Sequence, residues 1–335
     1  MSNFQFRPAV REAVGLLIGL AGGTGSGKTF SALRLASGIA GGKPFALIDT
    51  EAGRAKHYAD QFKFDHGDLH APFNPAAYAE AIMAADKAGY PVIVVDSMSH
   101  VWAGDGGVLD MQEAETEEQV KRAKARGDKR PDWQVVEAGK MASWIKPKGE
   151  HKRMVQKLLQ VRAHLILCFR AEEKIEMKRG ADGKMEITKK VTATGLDGWV
   201  PISEKNLPYE LTASFLLLAT QPGIPHPIKL QEQHRPLFPL DKPITEASGK
   251  AIAQWAAGGK EPTKTDEQKS DNPDTLNPDQ CIFIGDELQG IEEGKARLLA
   301  FASKKLGTEI KSLEQIPADK YQGLLDWIAL KKKSA

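Results

Sequence analysis

Cysteine is scarce in this chain of 335 residues: only Cys168 and Cys281 occur, far apart and in no metal-ligand spacing. That scarcity fits a reducing, cytoplasmic compartment. Long apolar runs are missing as well. None reaches the length needed to span a bilayer, and the opening MSNFQFRPAV lacks the apolar core of a signal peptide. No membrane association is expected. An excess of one charge is also absent. Lys and Arg number 46 against 44 Asp and Glu, so any surface for a polyanion must be local. Aromatic content is 7%, hydrophobic content 41% and charged content 27%, the balance of an ordinary globular protein. The length suits one large domain and a small one, and no internal repeat is visible.

Glycine is plentiful, and it concentrates where it carries chemistry. Gly22-Gly23-Thr24-Gly25-Ser26-Gly27-Lys28-Thr29 matches the phosphate-loop pattern G-x-x-x-x-G-K-[ST]. An apolar run of strand length, Val14–Leu20, precedes it. Apolar residues at helical spacing, Phe30–Ala36, follow it. Glycines let backbone N–H groups curl inward around a phosphate, and the following helix adds the positive end of its dipole. The pattern assigns Lys28 to the β- and γ-phosphates and the Thr29 hydroxyl to Mg²⁺. The candidate ATP site is therefore Gly22, Gly23, Thr24, Gly25, Ser26, Gly27, Lys28, Thr29 and Phe30.

Residues 258–279 carry almost no apolar side chains and many breakers, the composition of a flexible linker. They divide a core, 1–257, from a tail, 280–335. In the core, strands are expected at Phe45–Asp49, Pro91–Asp96, His164–Phe169 and 211–219. Helices are expected at 76–88, 132–146 and 150–162, the last two split by Pro147 and Gly149. This alternation predicts an α/β fold, a mostly parallel sheet flanked by helices. The tail shows three apolar stripes: Cys281, Ile284 and Leu288; Leu298, Leu299, Ala302 and Leu306; and Tyr321, Leu324, Leu325 and Ile328. Asn277-Pro278 offers a cap, and Gly307 stops the second stripe. A small three-helix module is expected, a candidate for partner or DNA binding.

Asp96 ends an apolar strand, where it can hold Mg²⁺ with Thr29. Ser97 follows it, so the next residue is no catalytic carboxylate. Glu51, just past the second strand, is the candidate for orienting an attacking water, with Asp49 as its competitor. This pairing of an acidic-x-Glu turn with Val92-Ile93-Val94-Val95-Asp96-Ser97 resembles the RecA-like recombinase core. Phe4–Ala9, Gly25–Leu33 and His164–Arg170 resemble more closely the phage nucleotide-binding proteins of the Sak-four class, single-strand annealing recombinases. The likeness covers residues 4–220. It implies a RecA-like ATPase core that binds single-stranded DNA and supports phage-type recombination or annealing. It implies ATP at a subunit interface of a ring or filament and, for a phage-encoded chain, the host cytoplasm. Arg170, after the strand Leu165–Phe169, takes a sensor role by resemblance. A surface pair with Glu172 or Glu173 is the alternative.

Two segments are basic enough to meet DNA. In 121–130 the candidates are Lys124, Arg126, Lys129 and Arg130, while Lys121 and Arg122 are set to pair with Glu117 and Glu118 four residues earlier. In 174–190 alternating residues around Gly180–Gly183 predict a basic β-hairpin insertion carrying Lys178, Arg179, Lys184, Lys189 and Lys190. Neither segment holds an aromatic residue for base stacking, and Trp133 and Trp199 nearby are expected to be packing residues. Phe6-Arg7-Pro8-Ala9 fits a Phe-x-x-Ala docking tether, but a plain first strand is the commoner meaning. The tail is a candidate for recruiting a single-strand-binding protein. Two rival classes stand beside this reading: a nucleotide-dependent switch or assembly ATPase, and a P-loop small-molecule kinase.

Overall fold

The computed structural model describes residues 15–179, 185–189, 198–258, 276, 278–288, 293–310 and 312–332. The chain divides into two compact units, Met1–Glu261 and Pro262–Ala335.

The first unit is built on strands β1 (Leu17–Gly22), β2 (Phe45–Asp49), β3 (Phe64–Asp68), β4 (Val92–Asp96), β5 (His164–Glu173), β6 (Ile175–Arg179), β7 (Met185–Lys189), β8 (Trp199–Pro201), β9 (Ala213–Leu218) and β10 (Gln221–Leu230). Its helices are α1 (Lys28–Ala40), α2 (Pro75–Lys87), α3 (His100–Ala103), α4 (Val108–Ala125), α5 (Asp132–Gly139), α6 (Ile145–Leu158), α7 (Leu207–Glu210) and α8 (Glu246–Ala257). The main sheet runs β10-β9-β1-β5-β4-β2-β3, with β8 paired to the outer part of β5. All neighbours along that path are parallel except β9 and β10.

Strands β1, β2 and β4 are buried on both faces, which is why they read as unbroken apolar runs. One face, with Ile18, Leu20, Leu47, Val94 and Phe215, packs on α1 and α8. The other, with Ile48, Ile93, Val95, Leu165 and Leu167, packs on residues of α2 and α6 such as Tyr78, Ile82 and Met154. Gly38 and Gly249 let α1 and α8 touch backbone to backbone: a methyl at Gly249 would run into the Leu35 carbonyl oxygen. The edges are managed by composition. β3 carries Asp65 and Asp68, and β10 carries Pro222, Pro225 and Pro227 with two register shifts. Both strands escape a search for apolar runs for that reason.

Two expectations need correction. The first strand starts at Leu17 and includes Gly22 of the phosphate loop, rather than spanning 14–20; Val14 lies outside the described residues. The helices before β5 do not break at Pro147 and Gly149. α6 runs through both, because Pro147 is its third residue, where no intrahelical N–H bond is lost. The interruption falls earlier, between Gly139 and Ile145, where a short 3₁₀ turn, Ala142–Trp144, intervenes.

In the second unit, α9 (Pro278–Glu287), α10 (Gly294–Leu306) and α11 (Tyr321–Lys332) follow the three stripes. Their core gathers Leu276, Ile284, Leu288, Leu298, Ala302, Leu324 and Ile328 with Leu313 and Ile316 from the connection. Gly307 takes a left-handed conformation (φ 69°) and caps α10 as its position suggested. Asn277 and 259–275 of the expected linker lie outside the described residues, as does Phe6–Ala9, where a docking tether or a plain first strand was expected. No helix among the described residues is long and apolar enough to cross a membrane.

Candidate nucleotide site

Strand register brings the chemistry to one crest of the sheet. Asp49 sits level with Asp96, Asp96 with Cys168, and Gly22 with Arg170, across four neighbouring parallel strands. Residues from these four C-terminal ends, with the loop after β1 and the turn after β2, line one cavity of about 970 Å³. Ligand crevices of open α/β sheets lie at this edge. Every residue from Gly22 to Phe30 lines it, together with Asp49, Glu51, Asp96 and Arg170.

The loop has the conformation its glycines permit. Gly25 (φ 75°) and Gly27 (φ 81°) are left-handed, and Gly27 opens α1 with no side-chain cap and no acidic residue in the first turn. The first N–H groups of α1 are thus left for an anion. The loop closes on itself through the Ser26 hydroxyl, which donates to the Gly23 carbonyl at 2.8 Å. Lys28 Nζ donates to the same carbonyl at 2.9 Å, holding a cation at the cavity. Gly23 also abuts the ring of Trp199, which is partly buried and packs against the core, a packing residue as expected.

Thr29 Oγ1 donates to Asp96 Oδ2 at 2.5 Å, so the two groups expected to share a cation already touch. Burial pushes the Asp96 carboxyl above the usual carboxylate range, and the Thr29 hydrogen bond opposes that. Among the described residues no cluster of three or more His, Cys, Asp or Glu could hold a metal. A hydroxyl and one carboxylate fit Mg²⁺ bound with phosphate and water, rather than a metal held by protein alone.

Glu51 and Asp49 differ in what surrounds them. Asp49 is buried and spent on the backbone. Its Oδ1 accepts from the Glu51 N–H at 2.6 Å, and its Oδ2 from the Ala55 N–H at 3.1 Å, with His66 Nε2 also at 3.1 Å. It shapes the turn, in which Ala52 is left-handed at φ 57°. Glu51 instead points its carboxylate at two guanidinium groups. Arg170 donates to Oε1 through Nε at 3.0 Å and Nη2 at 2.7 Å, and Arg54 donates to Oε2 at 3.1 Å. Arg170 is thus paired with Glu51, and Glu172 is 3.3 Å from Lys174 instead.

Below the crest, Thr50 Oγ1 accepts from the buried Ser97 N–H at 2.8 Å and lies 2.8 Å from His100 Nδ1. Ser99 Oγ accepts from the Arg170 N–H and donates to the Ile202 carbonyl, tying β5 to the segment after β8. Thr50, Ser99, Arg54 and His66 escaped the sequence reading. Only Arg54, three residues after Glu51, left a signal in spacing.

The basic segments behave unequally. Lys121, Arg122, Lys124 and Arg130 are in ion pairs with Glu117, Glu118, Asp132 and Asp128. Of the four candidates in 121–130, Arg126 and Lys129 keep exposed, unpaired charges. β6 and β7 form the expected antiparallel hairpin. Lys184 and Lys190 lie outside the described residues, as do the side chains of Lys178, Arg179 and Lys189. The hairpin is less polar than its lysines suggest: Ile175, Met177 and Met185 are all exposed. Trp133, expected to pack, is 68% exposed.

Parallel strands ending in a glycine loop, a hydroxyl–carboxylate pair and a crest glutamate define a P-loop nucleotide-binding core of the α/β class. A protein-family model described as an AAA domain matches residues 15–200, more than half of the chain. The chain belongs to this family of AAA-type P-loop ATPases. A comparison with curated proteins found no match.

Proposed function

We propose that this chain is a Mg²⁺-dependent ATPase whose turnover is coupled to single-stranded DNA in phage-type recombination or strand annealing. The observation that carries the catalytic half is the meeting of Lys28, Thr29, Asp96, Glu51 and Arg170 around one cavity. Lys28 and the loop amides hold the triphosphate. Thr29 and Asp96 hold Mg²⁺, which when bound neutralises charge on the phosphates. Glu51 accepts a proton from, and orients, the attacking water. Arg170 joins Glu51 to β5, and β5 leads directly into the β6–β7 hairpin, so a change at the phosphates has a covalent route to a projecting element. The DNA half rests on the resemblance to annealing recombinases and on the basic groups Arg126, Lys129 and those of the hairpin. Ring or filament assembly, and recruitment of a single-strand-binding protein by the helical second unit, belong to the same reading and rest on resemblance.

The test is ATP turnover by the full chain with and without single-stranded DNA, beside Lys28→Ala. The expected result is Mg²⁺-dependent turnover that rises with DNA and is lost in Lys28→Ala. Turnover indifferent to DNA removes the coupling. Turnover that survives Lys28→Ala removes the site.

A further inference from the structure

One basic surface without ion pairs among the described residues lies outside both segments singled out by sequence. It is the outer half of α6. Around this helix, Pro147, His151, Met154 and Leu158 are buried and centre on one side, against α2 and α4. At 100° per residue the opposite arc carries Lys148 and Lys152 along one margin and Lys146, Arg153 and Lys157 along the other. All five are exposed. Between them lie Ile145, 74% exposed, Gln156 and Gly149. Glu150 is the single acid of the helix. Among the described residues none of the five cations makes an ion pair, whereas Lys121 and Arg122 of α4 are matched by glutamates of their own helix. Trp144 precedes the first turn, stacked on Trp102 at 6.0 Å and 15°, with Lys148 Nζ over its ring at 5.3 Å.

A helix of 14 residues is about 21 Å long. Five cations without ion pairs along it form a track for a flexible polyanion, and the exposed Ile145 at its N-terminal end offers an apolar surface to a base. Glu204 and Glu210 line, with Lys148 and Lys152, a pocket of about 360 Å³ without pairing to either lysine. Resting on the single-stranded DNA reading above, we infer that the exposed face of α6 is a binding surface for a single-stranded nucleic acid, with Lys146, Lys148, Lys152, Arg153 and Lys157 contacting its phosphates.

The experiment measures anisotropy of a labelled oligothymidylate with the full chain across a salt series. Lys146→Gln, Arg153→Gln and Lys157→Gln are combined in one variant. Each lost phosphate contact lowers the log–log salt slope by about 0.7, so the triple variant should lose about 2 from the slope and bind at least about tenfold more weakly. In the wild type, oligothymidylate should also shield the α6 lysines from acetylation, a readout that does not depend on the variant folding. A wild-type chain that binds no oligonucleotide at low salt overturns the DNA reading and this surface together. A wild type that binds, with an unaltered slope in the variant and no shielding of α6, overturns the surface alone. Shielding by phosphatidylserine vesicles but not by the oligonucleotide reassigns the face to a membrane and likewise overturns the proposal.

Discussion

Replacing Asp49 should cost stability where replacing Glu51 does not, and the difference tests which carboxylate does chemistry. Asp49 accepts from two backbone N–H groups, at 2.6 Å from Glu51 and 3.1 Å from Ala55, and the second of these bonds is buried. A hydrogen bond to a charged acceptor contributes about 1.5–3 kcal/mol, and the buried N–H of Ala55 finds no water when its acceptor is removed. The N–H of Glu51 is nearer solvent and recovers part of its loss. Asp49→Ala should therefore lower stability by about 3 kcal/mol, roughly a hundredfold in the folding equilibrium. Turnover should fall with it, because the turn that aims Glu51 is released. Asp49→Asn should not rescue: its one oxygen replaces two acceptors, and its NH₂ meets N–H donors. Glu51→Gln keeps the shape and a polar partner for Arg170. It should leave stability within about 0.5 kcal/mol, retain ATP binding and cut turnover about a hundredfold or more. Urea unfolding and steady-state ATP hydrolysis on both variants make the measurement. Asp49→Ala of wild-type stability, together with Glu51→Gln of wild-type turnover, would refute the assignment and move the catalytic role to another carboxylate.

Two further outcomes concern the frame that carries the site. His164 accepts from the Leu16 N–H through Nδ1, and burial lowers its pKa from the ordinary 6.5 to about 4. The neutral ring is the form the fold holds, so its contribution is complete above pH 6.5, declines as pH falls towards 4, and is about 3 kcal/mol at full loss. Unfolding free energies of wild type and His164→Gln should converge over that window; parallel pH profiles would sink the argument. Gly249→Ala would drive a methyl into the Leu35 carbonyl and part α8 from α1, at a cost of about 1–3 kcal/mol. A thermal melt unchanged from wild type would show that the two helices have room to spare.

The sequence by itself determined the nucleotide loop and the class of fold. Both are local: Gly25 and Gly27 must sit where φ is positive, Lys28 and Thr29 must follow them, and a strand buried on both faces must be apolar throughout. Val92–Val95 and Leu165–Phe169 are legible for that last reason. The Asp96 and Glu51 candidates were legible too, because each ends or follows such a strand. What only the tertiary structure decided is how those strand ends stand beside one another. Register sets Asp49 level with Asp96, and β5 between β1 and β4 delivers Arg170 to Glu51, 119 positions away. No spacing in the chain encodes that meeting. The different surroundings of Asp49 and Glu51 are likewise tertiary, since they depend on which carboxylate the turn buries. The same holds for charge. The run 121–130 is the denser in cations on paper, yet Asp128 within it and the neighbouring Glu117, Glu118 and Asp132 neutralise much of it, while the scattered cations of α6 become a surface once the helix buries Pro147, His151, Met154 and Leu158 and turns the rest outward. The glycines of Gly22–Thr29 fix what the loop can bind; the packing of the sheet fixes which carboxylates and cations stand around it.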